Sequence, residues 1–291
     1  MMRLVGVVVL LFLPALAARA DPMPSGPRVG DTVEIRRESR SSSETNDGGS
    51  SSSFDRDTLT ERVVAIRENG LELEYDLPNG ATPEDRARQW QLPVRVFKPV
   101  AGPVELLNGA ELEARVDPWL QSARMTRAAC GRWIFTWNAF RIDCDPHLVL
   151  DTLAAFDMRS GELRDGASYQ AVGAAGPAPM KRKKGGSKGA TFVVKAAVDP
   201  EAVRRERAEA DVVVAEINRS SLTLEAALRA RSTEAVSGTI IVTLETDSTG
   251  APRRSTTVTV IEIREPGGKL ETQTFTVILE RRAPSAARET P

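Results

Sequence analysis

The chain has one histidine, two cysteines and two tyrosines among 291 residues. Each shortage removes a class of chemistry. A lone imidazole cannot supply the several nitrogen or sulfur donors that zinc centres use. It also leaves a single base for nucleophilic catalysis, and no Gly-x-Ser-x-Gly elbow accompanies it. His147 has Asp143, Asp145 and Asp151 nearby. Asp145-Pro146 reads better as a helix start, with His147 exposed in the first turn. No metal, cofactor or catalytic residue is therefore assigned, and the chain is read as non-enzymatic.

An excess of charge of either sign is missing too: Lys plus Arg number 39 and Asp plus Glu 40. If Arg3 and Arg19 leave with a leader, 37 basic residues face the same 40 acids, a formal charge of −3. Nothing global attracts nucleic acid. Long apolar runs are absent except near the start, where Arg3, the apolar stretch Leu4 to Leu13 and Ala18-Arg19-Ala20 form a signal-peptide pattern. That stretch is roughly half of what a bilayer span needs. Residues 1–20 are expected to be cleaved after about Ala20, leaving a periplasmic or secreted chain without a transmembrane segment. In that compartment Cys130 and Cys144, which bracket a short aromatic stretch and form no Cys-x-x-Cys, are expected to make one structural disulfide.

What the chain has in quantity is strand. Gly238 to Glu245, Arg253 to Glu265 and Lys269 to Arg282 alternate Val, Ile and Thr with polar residues, and Gly and Pro mark the turns. Near the other end, Val33 and Ile35 begin one strand, Phe54 to Arg67 form a second, and Asn69-Gly70 turns into a third at Leu71. Ser41 to Ser53 is expected to be a mobile polar loop. Both meanders share one pattern, which is compatible with a duplication or simply with two meanders of one sheet. One anomaly stands out. Val258 and Val260 are followed by Ile261 and Ile263, so the strand is apolar on both faces or a bulge resets it.

Between the meanders, Gln91 to Phe97 reads as an edge strand because of Pro93. Helices are expected from Asp117-Pro118, Asp145-Pro146, Asp199-Pro200 and Ser221 or Thr223. Arg132 to Asp143 reads as an aromatic hairpin, with Trp133 opposite Ile142 closing the disulfide. Trp119, Trp133, Phe135, Trp137 and Phe140 are either core beneath that disulfide or a surface for an apolar ligand or partner. Gly185 to Thr191 lacks the Gly-Lys-Ser/Thr order of a phosphate loop. The neighbouring run Lys181 to Lys184 reads as a solvated basic loop, the alternative being a contact for anionic lipid headgroups or other polyanions.

The expected organisation is residues 21–172 with the first meander and the disulfide-bracketed hairpin, a Gly/Pro/Lys-rich loop at 173–189, helices and the second meander at 190–282, and a frayed tail at 283–291. An exported chain with meanders at Val33 to Tyr75 and Ile240 to Leu279, and helices near Trp119, Leu148 and Val203, resembles the half-barrel carriers of the LolA and LolB type. The likeness lies in architecture, and no residue role carries over. It implies an α+β fold in which a large curved antiparallel sheet has helices on one face. It further implies an apolar cavity for a lipid or lipoprotein acyl chain, the alternatives being an envelope protein-protein interaction module and, behind both, a hydrolase.

Overall fold

The computed structural model describes residues 26–135, 139–158, 163–183 and 189–284. Residues 1–25, on which the expected leader falls, Trp137, Lys184, the glycine-rich run after it and the last seven residues lie outside them. The first meander consists of β1 (Thr32–Thr45), β2 (Ser50–Arg67) and β3 (Gly70–Asp76). Then follow α1 (Pro83–Arg88), β4 (Val94–Pro99), β5 (Glu105–Leu106), α2 (Gly109–Ser122), β6 (Trp133–Phe135), β7 (Ala139–Arg141) and α3 (Val149–Ala154). The remainder is β8 (Ser168–Tyr169), β9 (Ala178–Pro179), β10 (Lys181–Lys183), β11 (Thr191–Ala197), α4 (Pro200–Ile217), α5 (Leu224–Arg231), β12 (Ala235–Thr246), β13 (Pro252–Arg264) and β14 (Leu270–Arg282).

Ten of these strands form one antiparallel sheet in the order β10-β11-β12-β13-β14-β1-β2-β3-β4-β5. The two meanders meet where β1 pairs with β14, from Glu34 opposite Arg282 to Thr45 opposite Glu271. Two cores lie on the same face, at opposite ends of the sheet. One gathers Ile35, Leu59, Leu73 and Val96 under Leu112 and Val116 of α2 and Val149 of α3. The other gathers Phe192, Val194, Ile240, Val242 and Ile263 under Val203 of α4. A duplicated meander is at odds with this. In the sheet, β1 and β12 run in opposite directions, so a repeat displaced by three strands would present its core on the other face.

Several expectations change in the structure. The serine-rich segment is not a loop: it forms the distal half of the β1/β2 hairpin, with Ser41 opposite Ser53 and Oγ atoms 2.7 Å apart. Composition missed it because β1 is paired on both sides, and backbone ladders hold what side-chain burial does not. Helix α2 begins at Gly109, well before Asp117-Pro118, and keeps Pro118 inside. Its Leu112, Val116 and Leu120 lie four apart and are buried. Three such side chains contribute about 5–9 kcal/mol, which exceeds the ~3 kcal/mol of an interior proline. Within the expected loop at 173–189, β9 and β10 are strands, because Ala178–Pro179 pairs with Ser168–Tyr169 and Lys181–Lys183 joins the ladder of β11. Pro93 precedes β4 instead of lying in it, and β5 covers part of that edge. Trp133 pairs with Arg141, one residue short of Ile142.

The other helix starts are as the capping residues imply. Asp145 accepts from the His147 N–H at 2.9 Å, Asp199 from Glu201 at 2.9 Å, and Thr223 from Ala226 at 3.2 Å. The disulfide joins Cys130 to Cys144 with Cα atoms 5.6 Å apart. Among the described residues no helix is long and apolar enough to cross a membrane.

Helices α4 and α5 are clamped by Arg231, which donates to Asp211 through Nε at 2.8 Å and Nη2 at 2.7 Å. The hydrogen bond from Arg231 is the main cause of a lowered Asp211 pKa, against a smaller opposing effect of burial. A depressed carboxylate contributes stability above its unfolded pKa, and that stability is lost as pH falls through the folded value. Asp211→Asn should therefore lower the melting temperature at neutral pH, with the gap to wild type closing below about pH 4. A gap that stays constant to pH 2 in melts across that range would contradict the clamp. Cys130→Ser with Cys144→Ser should cost about 3 kcal/mol in urea unfolding, and reduction of the wild type should reproduce that loss.

Candidate docking face

A strand that is apolar on both sides must bury one side and leave the other to something else. β13 has an unbroken register against β14 and shifts against β12 only between Glu245 and Thr246, so no bulge intervenes at Val260. Ile261 and Ile263 point into the helix-covered core, where both are buried. Val258 and Val260 consequently lie on the opposite face. That face has no described helix packed on it, since the helices that cover the sheet lean on the two cores.

Its composition follows from the registers. Thr243, Thr256 and Ile278 form one row across β12, β13 and β14. Ile241, Val258 and Thr276 form the next, and Thr239, Val260 and Thr274 the third. All nine positions hold β-branched residues. Val193 of β11, opposite Thr243, extends the aliphatic track through Ile241 and Val258 towards Ile278. Ile241 and Val260 are 40% and 37% exposed. β-Branched side chains standing side by side on neighbouring strands hold each other in few rotamers, so the face is prepared at little entropic cost. Three rows on three strands span on the order of 300 Å².

Charge flanks this patch on both sides. Beyond β14, Glu38 of β1 takes ion pairs from Arg36, Arg40 at 3.8 Å and Arg56 at 3.0 Å. Its carboxyl is held below the usual range: desolvation works against this, and Arg36 and Arg56 outweigh it. Arg40 and Arg56 also stack on Phe54, each guanidinium carbon 5.4 Å from the ring centre. A recess of about 320 Å³ opens here between Arg36, Glu38, Arg254, Ile278, Glu280 and Arg282. The Nε atoms of Arg36 and Arg254 are buried and have no hydrogen-bond partner among the described residues. On the other side, Lys195 of β11 stands opposite Ile241, and Lys181 and Lys183 of β10 stand opposite Val193 and Thr191.

Two other hollows lie elsewhere in the molecule. A cleft of about 860 Å³ at one end of the sheet is lined by Arg28, Asp31, Glu61, Asp247, Arg253 and Arg281, among others. Its buried Glu61 accepts from Tyr75 Oη at 2.8 Å and pairs with Arg281. Asp31 accepts from the Arg28 N–H at 2.7 Å, and Asp247 holds its own turn through Thr249. An apolar hollow of about 360 Å³ between β4 and α3 has Lys98, Asp151 and Asp157 among its walls. Among the described residues no group of three or more His, Cys, Asp or Glu is placed to hold a metal ion. His147 is exposed and lies 3.3 Å from Asp145.

Of the aromatic residues singled out as core or surface, Trp119 and Trp133 have described side chains. Trp119 packs on the buried Trp90, ring centres 5.8 Å apart, and leans on the first core. Trp133 is half-buried at the start of β6. Phe135 and Phe140 take part in the β6/β7 ladder, and Trp137 lies outside the described residues. Residue-type scanning missed the open face because it contains no aromatic cluster. The one signal of it was the doubled apolar pairs at Val258 to Ile263.

If the face is open, adjacent residues of β12 should differ sharply. Ile240→Ala, in the core, should cost about 2–5 kcal/mol, whereas Ile241→Ala should stay within about 0.5 kcal/mol. Equal losses in urea denaturation would mean that something covers Ile241.

No family model and no curated protein matches the chain. Among solved structures, one of lipovitellin concerned with its lipid–protein interactions aligns with 90% of this chain at 10% identity, with a TM-score of 0.39. The chain spans 26% of that lipovitellin chain. The attachment invasion locus protein Ail of Yersinia pestis aligns over 88% of this chain and all of its own, at 4% identity and a TM-score of 0.19. Likeness at this level sets neither fold nor function.

Proposed function

We propose that the chain is an exported, non-enzymatic envelope protein that binds lipid surfaces through the open face of β12, β13 and β14. The observation that carries this reading is the block of nine β-branched residues facing away from both cores. A disulfide accords with an oxidising compartment. On this reading the ligand meets a face, and the cavity of the half-barrel carriers is not needed for it. The area favours lipid over a stable protein partner, because a specific protein interface takes about 800 Å² from each side. With about half the patch aliphatic, burial supplies on the order of 4 kcal/mol, enough for reversible adsorption.

The test is flotation with vesicles of mixed zwitterionic and anionic phospholipid. Wild-type protein should float with them. Ile241→Asn with Val260→Asn should reduce the bound fraction at least tenfold while leaving the circular dichroism and the melt unchanged. Undiminished binding of that variant would overturn the role of the face, and wild-type protein left at the bottom of the gradient would overturn lipid binding itself.

A further inference from the structure

We infer that the open face selects anionic lipid, the lysines of β10 and β11 meeting phosphate headgroups beside the apolar patch; this rests on the lipid-surface reading above. Net charge gives no hint of it, since the whole chain is formally −1. The asymmetry is local to β10 and β11; Glu245 and Glu262 also lie on this face, Glu245 paired with Arg253 at 3.5 Å. Lys181, Lys183 and Lys195 project on the same face as Val193 and Ile241, by the registers of β10 on β11 and β11 on β12. None of the three has a carboxylate within 4.0 Å among the described residues, whereas the arginines across the patch share Glu38.

Edge lysines also guard a sheet against strand addition. That role is indifferent to which face they occupy, and a three-residue edge strand already serves it. Here the alternate residue, Arg182, falls on the helix face opposite Phe192. The two lysines of β10 fall beside the patch. The second flank is basic as well: Arg36 and Arg254 are among the residues lining a recess that reaches Ile278 at the edge of the patch. Glu38 and Glu280 share that recess, so it is the weaker of the two contacts, and the lysine strand leads. A neutral surface would derive nothing from the basic flanks, and a second copy would bring its own lysines against them.

Each basic side chain near an anionic bilayer is worth about fivefold in binding, so three give on the order of a hundredfold. The experiment compares vesicles of phosphatidylcholine alone with vesicles containing phosphatidylglycerol, for wild type, for Lys181→Gln with Lys183→Gln and Lys195→Gln, and for the Ile241→Asn pair. Wild type should prefer the anionic vesicles by about that factor, and added salt should erode the preference. The lysine variant should lose the preference and match wild type on phosphatidylcholine. A lysine variant that keeps the full preference overturns the inference and leaves the lipid-surface reading standing. Loss of all vesicle binding in wild type overturns both, as does a wild-type dimer in sedimentation that the Ile241→Asn pair dissolves.

Discussion

Pairing between the first and the last long strand is the contact on which the rest of the molecule depends. β1 and β14 come from opposite ends of the described chain, and their ladder converts two local meanders into one sheet. Loop closure over so long a separation is entropically slow to recover, yet each meander is preformed by short hairpins. Because β1 is held on both sides, even its serine-rich half is ordered without a core beneath it.

Joining the meanders this way sets the parity of every strand. Ile35, Leu73, Ile240 and Ile263 then share one face and take all the described helices. The price is a second face that no described helix reaches. Along most of β1 and β2 that face carries serines, threonines and ion-paired charges, which water satisfies. Along β12 to β14 it carries Val, Ile and Thr. The same sheet is therefore sealed at its edges, where β10 and β5 are only a few residues long, and left bare in its middle. A lipid surface is one of the few partners that can use a bare middle without using the edges.

Much of this was legible in the chain before folding. The strands of both meanders, the caps at Asp145, Asp199 and Thr223, and the Cys130–Cys144 bridge follow from local chemistry, since turns, caps and alternation are local. What was not legible depended on distant partners. Nothing near Ser41 to Ser53 announces β14 on one side of it. Nothing near Asp117-Pro118 says that Leu112 and Val116 have a core waiting. The open face lay between these cases. Val258, Val260, Ile261 and Ile263 declared a strand with two apolar faces, but only the placement of the helices says which of them stays uncovered. The aromatic stretch drew attention because of its composition, and of it Trp119 packs on Trp90 and leans on the first core.

The most direct measurement places a reporter on each side of one strand. Thr276 lies on the open face of β14 and Val277 on the helix face, opposite Thr257. A tryptophan at Thr276 should be quenched by vesicles whose acyl chains are brominated, well beyond any quenching of the native tryptophans in the parent protein or of a tryptophan at Val277. If the Thr276→Trp variant binds vesicles and its added fluorescence is untouched by bromine, the open face does not meet the bilayer, and its role as the docking surface is contradicted.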